Sequence, residues 1–306
     1  MIKILDFAAL SSYVYKDPVT NRKNFTSFVY KQMISAEKFT QIAFPENNIF
    51  YEIIIDPHIQ QHSNNPFYAS LFVKVLDKKP IAAILAVRGT DNLSNEIQDI
   101  ETWGEHVLGI ENKLKTMPDY MGPALRFCFK VNNYCRQQLQ LPQNKVYITG
   151  HSLGGAIASL LRCKDKMPNQ AITFNAPGVR NMPGVDGNIK GILNVRARYD
   201  LVSAIDEPVG PYWDVDVPEK EAEAKHLFQL YNTEHNKTFE NHAGLWEKLK
   251  YKLDMGVDAV EAASAQHSIF NLYSALKHQN SLGIARRSFM SLALGAETSN
   301  FEYAAI

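Results

Sequence analysis

Ser152 stands in the decapeptide Val146-Tyr147-Ile148-Thr149-Gly150-His151-Ser152-Leu153-Gly154-Gly155. A β-branched and aromatic run leads into G-x-S-x-G, and Gly155-Ala156-Ile157-Ala158 continues as a small-residue helix pattern. Strand, sharp turn and helix in that order make a nucleophile elbow, which lifts a serine hydroxyl above the end of a sheet. Gly150 and Gly154 remove the Cβ atoms that would clash in so tight a turn. The three fixed positions alone are also met in an ordinary turn with a surface serine; the flanking strand and helix patterns favour the elbow.

A serine hydroxyl attacks poorly until a histidine takes its proton and a carboxylate orients that histidine. In elbow proteins the partners follow in the order Ser, Asp or Glu, then His. Asp200 is the best-placed acid because it ends a strand-like run, residues 189–199, while Asp186 lies in a glycine-rich loop and Asp206 deeper in the next one. His226, His235, His242, His267 and His278 all follow Asp200. His267 falls between an alanine-rich helix pattern and a new helix from Ser268, where a loop can present a base. His226 heads an expected strand, His278 lies late in a helix, and His235 and His242 sit in polar stretches.

Ester or amide chemistry also needs donors for a tetrahedral oxyanion. The backbone N–H of Leu153, directly after the serine, is one candidate. Thr90 is the other: Val87-Arg88-Gly89-Thr90-Asp91 leaves a strand, and Thr90 carries an N–H and a hydroxyl, though it also suits an N-cap. His58 and His62 have i, i+4 spacing but no evident third ligand, so neither a metal nor any other cofactor is expected.

The elements that must hold these residues alternate. Residues 4–15 read as a helix, and Phe67–Leu76 and Ile81–Val87 as a β hairpin around Asp77-Lys78-Lys79-Pro80. Residues 123–139 read as a helix opened by Pro123, followed by the strand 146–149, the helix 153–163 and the strand 171–175. Residues 206–224 read as a loop, Leu227–Tyr231 as a late strand, and 240–264 and 268–279 as helices. The pattern predicts one α/β domain over 1–306 with its core at about 60–280: a mainly parallel sheet flanked by helices, with an antiparallel hairpin at the edge. The tail 284–306 is not placed. Between Asp91 and Gly109, Leu93, Ile97, Ile100, Trp103 and Val107 form one helical stripe, either a packed surface helix or a lid that meets substrate through Ile97, Ile100 and Trp103.

Composition narrows the partners. The 306 residues are 45% hydrophobic and carry 32 basic and 32 acidic side chains, so no overall field recruits nucleic acid or an anionic membrane. No apolar run is long enough to span a bilayer. The N-terminus lacks a signal-peptide pattern, and Cys128 and Cys135 are too far apart along a helix for a disulfide. The expected location is cytoplasmic, or outside the cell by a route without a signal peptide.

Four segments together resemble a family: Val87-Arg88-Gly89-Thr90, Gly150-His151-Ser152-Leu153-Gly154-Gly155, Thr173-Phe174-Asn175-Ala176-Pro177-Gly178 and Arg198-Tyr199-Asp200-Leu201-Val202. Their order and spacing are similar to the class 3 (fungal-type) lipases of the α/β-hydrolase superfamily, and Leu10–Tyr15 is similar to the family's opening helix. The resemblance spans roughly residues 60–280 and implies Ser152 as nucleophile, Asp200 as acid, His267 as base and Thr90 as oxyanion residue. Secreted members carry disulfides, a signal peptide and a lid tryptophan soon after R-G-T/S. Here Asn95-Glu96-Ile97-Gln98-Asp99 replaces that tryptophan, which brings the chain closer to bacterial lipase- and phospholipase-like members. The implied activity is hydrolysis of lipid carboxylic esters, of the lipase or phospholipase A type, with transient contact to a membrane surface. The alternative is a catalytically inactive scaffold of this fold that binds a partner protein.

Overall fold

A computed structural model describes residues 2–15, 30–33, 39–43, 49–53, 55–56, 59, 67–77, 79–89, 118–164, 170–186, 189–235 and 257–281. Among the described residues nine strands form one sheet in chain order: β1 (Tyr30–Met33), β2 (Phe39–Ala43), β3 (Ile49–Ile53), β4 (Ala69–Leu76), β5 (Lys79–Val87), β6 (Val146–His151), β7 (Gln170–Phe174), β8 (Ile192–Ala197) and β9 (Tyr212–Val215). β1 to β5 pair antiparallel, and β5 to β9 pair parallel. The antiparallel part thus extends further than the expected edge hairpin, while the parallel half carries the elbow. Among the described residues the helices are α1 (Ile4–Tyr13), α2 (Pro118–Gln137), α3 (Leu153–Cys163), α4 (Glu221–His235), α5 (Val257–His267) and α6 (Ile269–Ser281).

Alternate residues of β4 and β5 feed two cores, as the period of a strand requires. Leu71, Val73, Ala83, Leu85 and Val87 pack with α2 and α3 on one face. Phe72, Ala82, Ile84 and Ala86 pack with α1 and α6 on the other. All ten residues of α1 are buried, including Asp6, which accepts the Lys3 N–H at 2.9 Å and faces the buried Lys74 ammonium at 3.7 Å. Ala263 of α5 joins the first core, whereas Ile269 and Leu272 of α6 join the second. The chain therefore breaks its helix at His267-Ser268 where it crosses from one face of the sheet to the other.

Three elements differ from the sequence expectation. Leu227–Tyr231 is not a strand but part of α4, because Ala224, Leu227 and Tyr231 are buried at i, i+3 and i+7, which is helical spacing. The expected loop 206–224 contains β9, whose Trp213 and Val215 are buried, while Arg196 of β8 pairs with Asp214 and Arg198, just after β8, pairs with Asp216. α2 starts before Pro123 and holds it within its first two turns rather than at its first position. Strands β1 to β3 are short and half polar and were not apparent in the sequence pattern; they gain their partners through the ladder that begins at β4. Cys128, Cys135 and Cys163 are free, buried thiols.

Candidate functional site

β6 lies between β5 and β7, and Ser152 follows its last residue. Ser152 has φ 56° and ψ −132°, backbone that a side-chain-bearing residue adopts only under strain. The neighbouring glycines allow it. A Cβ on Gly150 would lie 2.4 Å from the Gly154 carbonyl, and one on Gly154 would lie 2.4 Å from Val87 O. The turn is pinned by Ser152 N–H donating to Phe174 O at 3.0 Å, and by Gly155 and Ala156 N–H donating to Ser152 O. The Ser152 hydroxyl is buried and has no hydrogen-bond partner among the described residues. Leu153 opens α3, so its N–H is one of the donors that a helix leaves unpaired within itself.

Asp200 follows the end of β8 and is 1% exposed. Its carboxylate accepts the Val202 N–H at 3.3 Å, the Ser203 N–H at 3.0 Å and the Ser203 hydroxyl. The fourth donor is His267 Nδ1, 2.9 Å from Asp200 Oδ1, with both side chains buried. A carboxylate only accepts, so Nδ1 carries the proton and Nε2 is left as the ring's basic nitrogen. His267 is the last residue of α5, at the break described above.

Two further side chains enter this site without having been singled out by sequence pattern. His151, one residue before the serine, places its Nε2 2.8 Å from His267 O, and its ring centroid lies 4.8 Å from that of His267. Its Nδ1 meets the Tyr15 hydroxyl at 2.9 Å, and that hydroxyl accepts the Gly89 N–H at 3.1 Å. A Cβ on Gly89 would stand 2.3 Å from the Tyr15 oxygen, which explains the glycine before Thr90. The second is Asn175, at φ 45° just after β7, whose amide bridges Ala197 N–H and Gln266 O. The available signal for Asn175 is its place in the segment Thr173–Gly178, directly after a strand-like run; the partners of Tyr15 and His151 are too distant in sequence to read.

The other expected residues are distributed differently. Asp186, His226 and His278 are exposed, and Asp206 bonds Asn181. His235 closes α4, and His242 lies outside the described residues, as do Thr90, Ile97, Ile100, Trp103, His58, His62 and the tail 284–306. Among the described residues no cluster of His, Cys, Asp or Glu could hold a metal ion, and no helix is long and apolar enough to cross a membrane.

The arrangement is an α/β-hydrolase fold with Ser152 and Asn175 directly beyond the carboxyl ends of β6 and β7, and Asp200 three residues beyond that of β8. Residues 84–185 match the class 3 lipase family model, the family that the motifs resemble. No curated protein sequence matches the chain. Among solved structures, the extracellular lipase LipA from Serratia marcescens is 16% identical with a TM-score of 0.28, over 50% of this chain and 27% of that one. This chain therefore spans about a quarter of that lipase. M37 lipase is 12% identical with a TM-score of 0.35, over 98% of this chain and 100% of that one.

Proposed function

We propose that this protein, whose residues 84–185 match class 3 lipases, is a serine hydrolase that cleaves carboxylic esters of lipids through an acyl-enzyme. The observation that carries the reading is the buried His267 Nδ1 to Asp200 pair, linked through the His151 Nε2 bond to His267 O to the residue before a strained, buried Ser152. His267 Nε2 takes the serine proton as Oγ attacks the ester carbonyl, and Asp200 stabilises the imidazolium that forms. The backbone N–H of Leu153 and the N–H and hydroxyl of Thr90 receive the oxyanion. His267 then returns the proton to the leaving alcohol, and water attacks the acyl group with the same ring as base.

The family match supports lipid esters as the substrate class, in the manner of a lipase or a phospholipase A. The apolar stripe Ile97, Ile100 and Trp103 supports transient contact with a lipid surface as the route by which such esters reach Ser152. A fluorophosphonate probe tests the chemistry directly. Labelling at Ser152 that is lost in Ser152→Ala is the expected result, and an unlabelled, folded wild-type protein refutes hydrolysis in favour of the binding scaffold. A panel of triacylglycerols, phospholipids and short soluble esters then reads the head group and chain length.

A further inference from the structure

A helix leaves its last four carbonyls without partners of its own, and those at the end of α5 are Ser264, Ala265, Gln266 and His267. Each is bonded. Ser264 O accepts the Ser268 N–H at 3.0 Å, as a short continuation of the helix would provide. Ala265 O accepts Asn271 Nδ2 at 3.1 Å, from within the following helix. The remaining two are bonded from across the molecule: Gln266 O accepts Asn175 Nδ2 at 2.9 Å, and His267 O accepts His151 Nε2–H at 2.8 Å.

These two donors are side chains held next to the nucleophile turn. His151 is the neighbour of Ser152, and Asn175 follows Phe174, whose carbonyl holds the Ser152 N–H at 3.0 Å. Two bonds to consecutive carbonyls fix both the position and the rotation of the last turn of α5. Asn175 does more, because its Oδ1 accepts the Ala197 N–H at 2.8 Å, three residues before Asp200. One buried amide thus ties the strand end leading to the acid to the turn carrying the base. The left-handed backbone at residue 175, φ 45°, is tolerated by Asn and Gly but by few other residues. A carbonyl only accepts, so His151 Nε2 carries a proton, and the Tyr15 hydroxyl lies within reach of both Nδ1 at 2.9 Å and His151 O at 3.1 Å. Gln266 closes the arrangement by donating its own amide to Val217 O at 3.0 Å and Glu219 O at 3.1 Å.

We infer that Asn175 and His151 are positioning residues that dock the end of α5 onto the nucleophile elbow and so set His267 in register with Ser152. The inference rests on the reading of His267 as the base. Neither residue touches substrate; both act through the backbone of the base, where a displacement of about 1 Å can cost on the order of 100-fold in rate.

The test is a mutant cycle on a short soluble p-nitrophenyl ester, with kcat and KM measured in the wild-type and His267→Ala backgrounds. Asn175→Asp keeps the acceptor for Ala197 N–H and deletes the donor to Gln266 O; His151→Leu deletes the donor to His267 O. In the wild-type background each is expected to lower kcat by about 10- to 100-fold and to change KM by less than about 2-fold. His151→Gln, which can still donate from its amide, is expected to recover most of the loss. In the His267→Ala background the same changes are expected to cost less than about 2-fold, because groups that act through one residue are non-additive. Asn175→Gly suits the backbone at this position and serves if Asn175→Asp does not fold; His151→Phe, a ring without a donor, serves if His151→Leu does not fold. Equal losses in both backgrounds, or a lowered melting temperature with unchanged kcat, overturn the positioning role alone. Full activity in His267→Ala overturns the reading of the base, and the positioning role with it, before any cycle is assembled.

Discussion

Ser152→Gly is expected to make the protein more stable while abolishing its activity. Residue 152 sits at φ 56° and ψ −132°, a conformation that costs a side-chain-bearing residue about 1–3 kcal/mol and glycine far less. Its buried hydroxyl, without a partner among the described residues, adds a desolvation cost of about 1–3 kcal/mol. Against these gains, glycine at 152 gives the unfolded chain extra freedom worth about 0.4–1 kcal/mol. The net expectation is a stabilisation of at least about 1 kcal/mol. Ser152→Ala separates the contributions, since it deletes the hydroxyl and keeps the Cβ. Ser152→Gly should therefore exceed Ser152→Ala by up to about 2.6 kcal/mol, the strain less the added chain entropy. At about 2 °C per kcal/mol for a chain of this size, the difference is a few degrees in melting temperature. Thermal melts and urea midpoints give the stabilities, and hydrolysis of p-nitrophenyl butyrate should fall roughly 10³-fold or more in both variants. A Ser152→Gly protein less stable than Ser152→Ala refutes the strain argument. Hydrolysis retained in either variant refutes Ser152 as the nucleophile.

Asp200→Asn should lower kcat by about 10³- to 10⁴-fold, since an amide beside His267 Nδ1 stabilises neither the working tautomer nor the imidazolium; steady-state kinetics on a soluble ester check this, and a loss under 10-fold speaks against the acid assignment. Burial pushes the Cys128 thiol far up, and the Cys135 thiol up to about 12 from 9.0. Folded thiols that keep their protons contribute stability below pH 9.0 that is lost as pH rises toward about 12, at roughly 1.4 kcal/mol per pH unit for each thiol. Cys128→Ala with Cys135→Ala should flatten the alkaline decline of the urea midpoint, and an unchanged slope counts against thiol linkage. Ile100→Ala with Trp103→Ala is expected to weaken hydrolysis of aggregated long-chain esters more than of soluble short ones, because apolar surface exposed in water costs roughly 25 cal/mol per Å² and a lipid surface relieves that cost. Equal effects on both substrates, with a lower melting temperature, point to a packed helix instead.

Local chemistry made part of this protein legible from its residues alone. Gly150, Ser152 and Gly154 announce the elbow because only glycine fits where a Cβ would stand 2.4 Å from backbone atoms, a constraint confined to a few consecutive residues. The helix period in α3 and α6, and the β run that ends at Asp200, are likewise set by neighbours in sequence. Other features needed the tertiary structure, because their partners are separated by scores of residues. That His267, and not His226 or His278, meets Asp200 depends on a hydrogen bond across 67 positions and on burial that leaves the other two exposed. The four residues of β9 hide in an acid- and proline-rich stretch, and become a strand because β8 supplies their ladder partners and the core buries Trp213 and Val215, with Arg196 paired to Asp214. Tyr15, His151 and Asn175 carry ordinary polar side chains whose use is set by the carbonyls and hydroxyls that folding brings to them. A pattern along the chain records which residues can share a strand or a helix face; it holds no record of which two distant groups will be desolvated together.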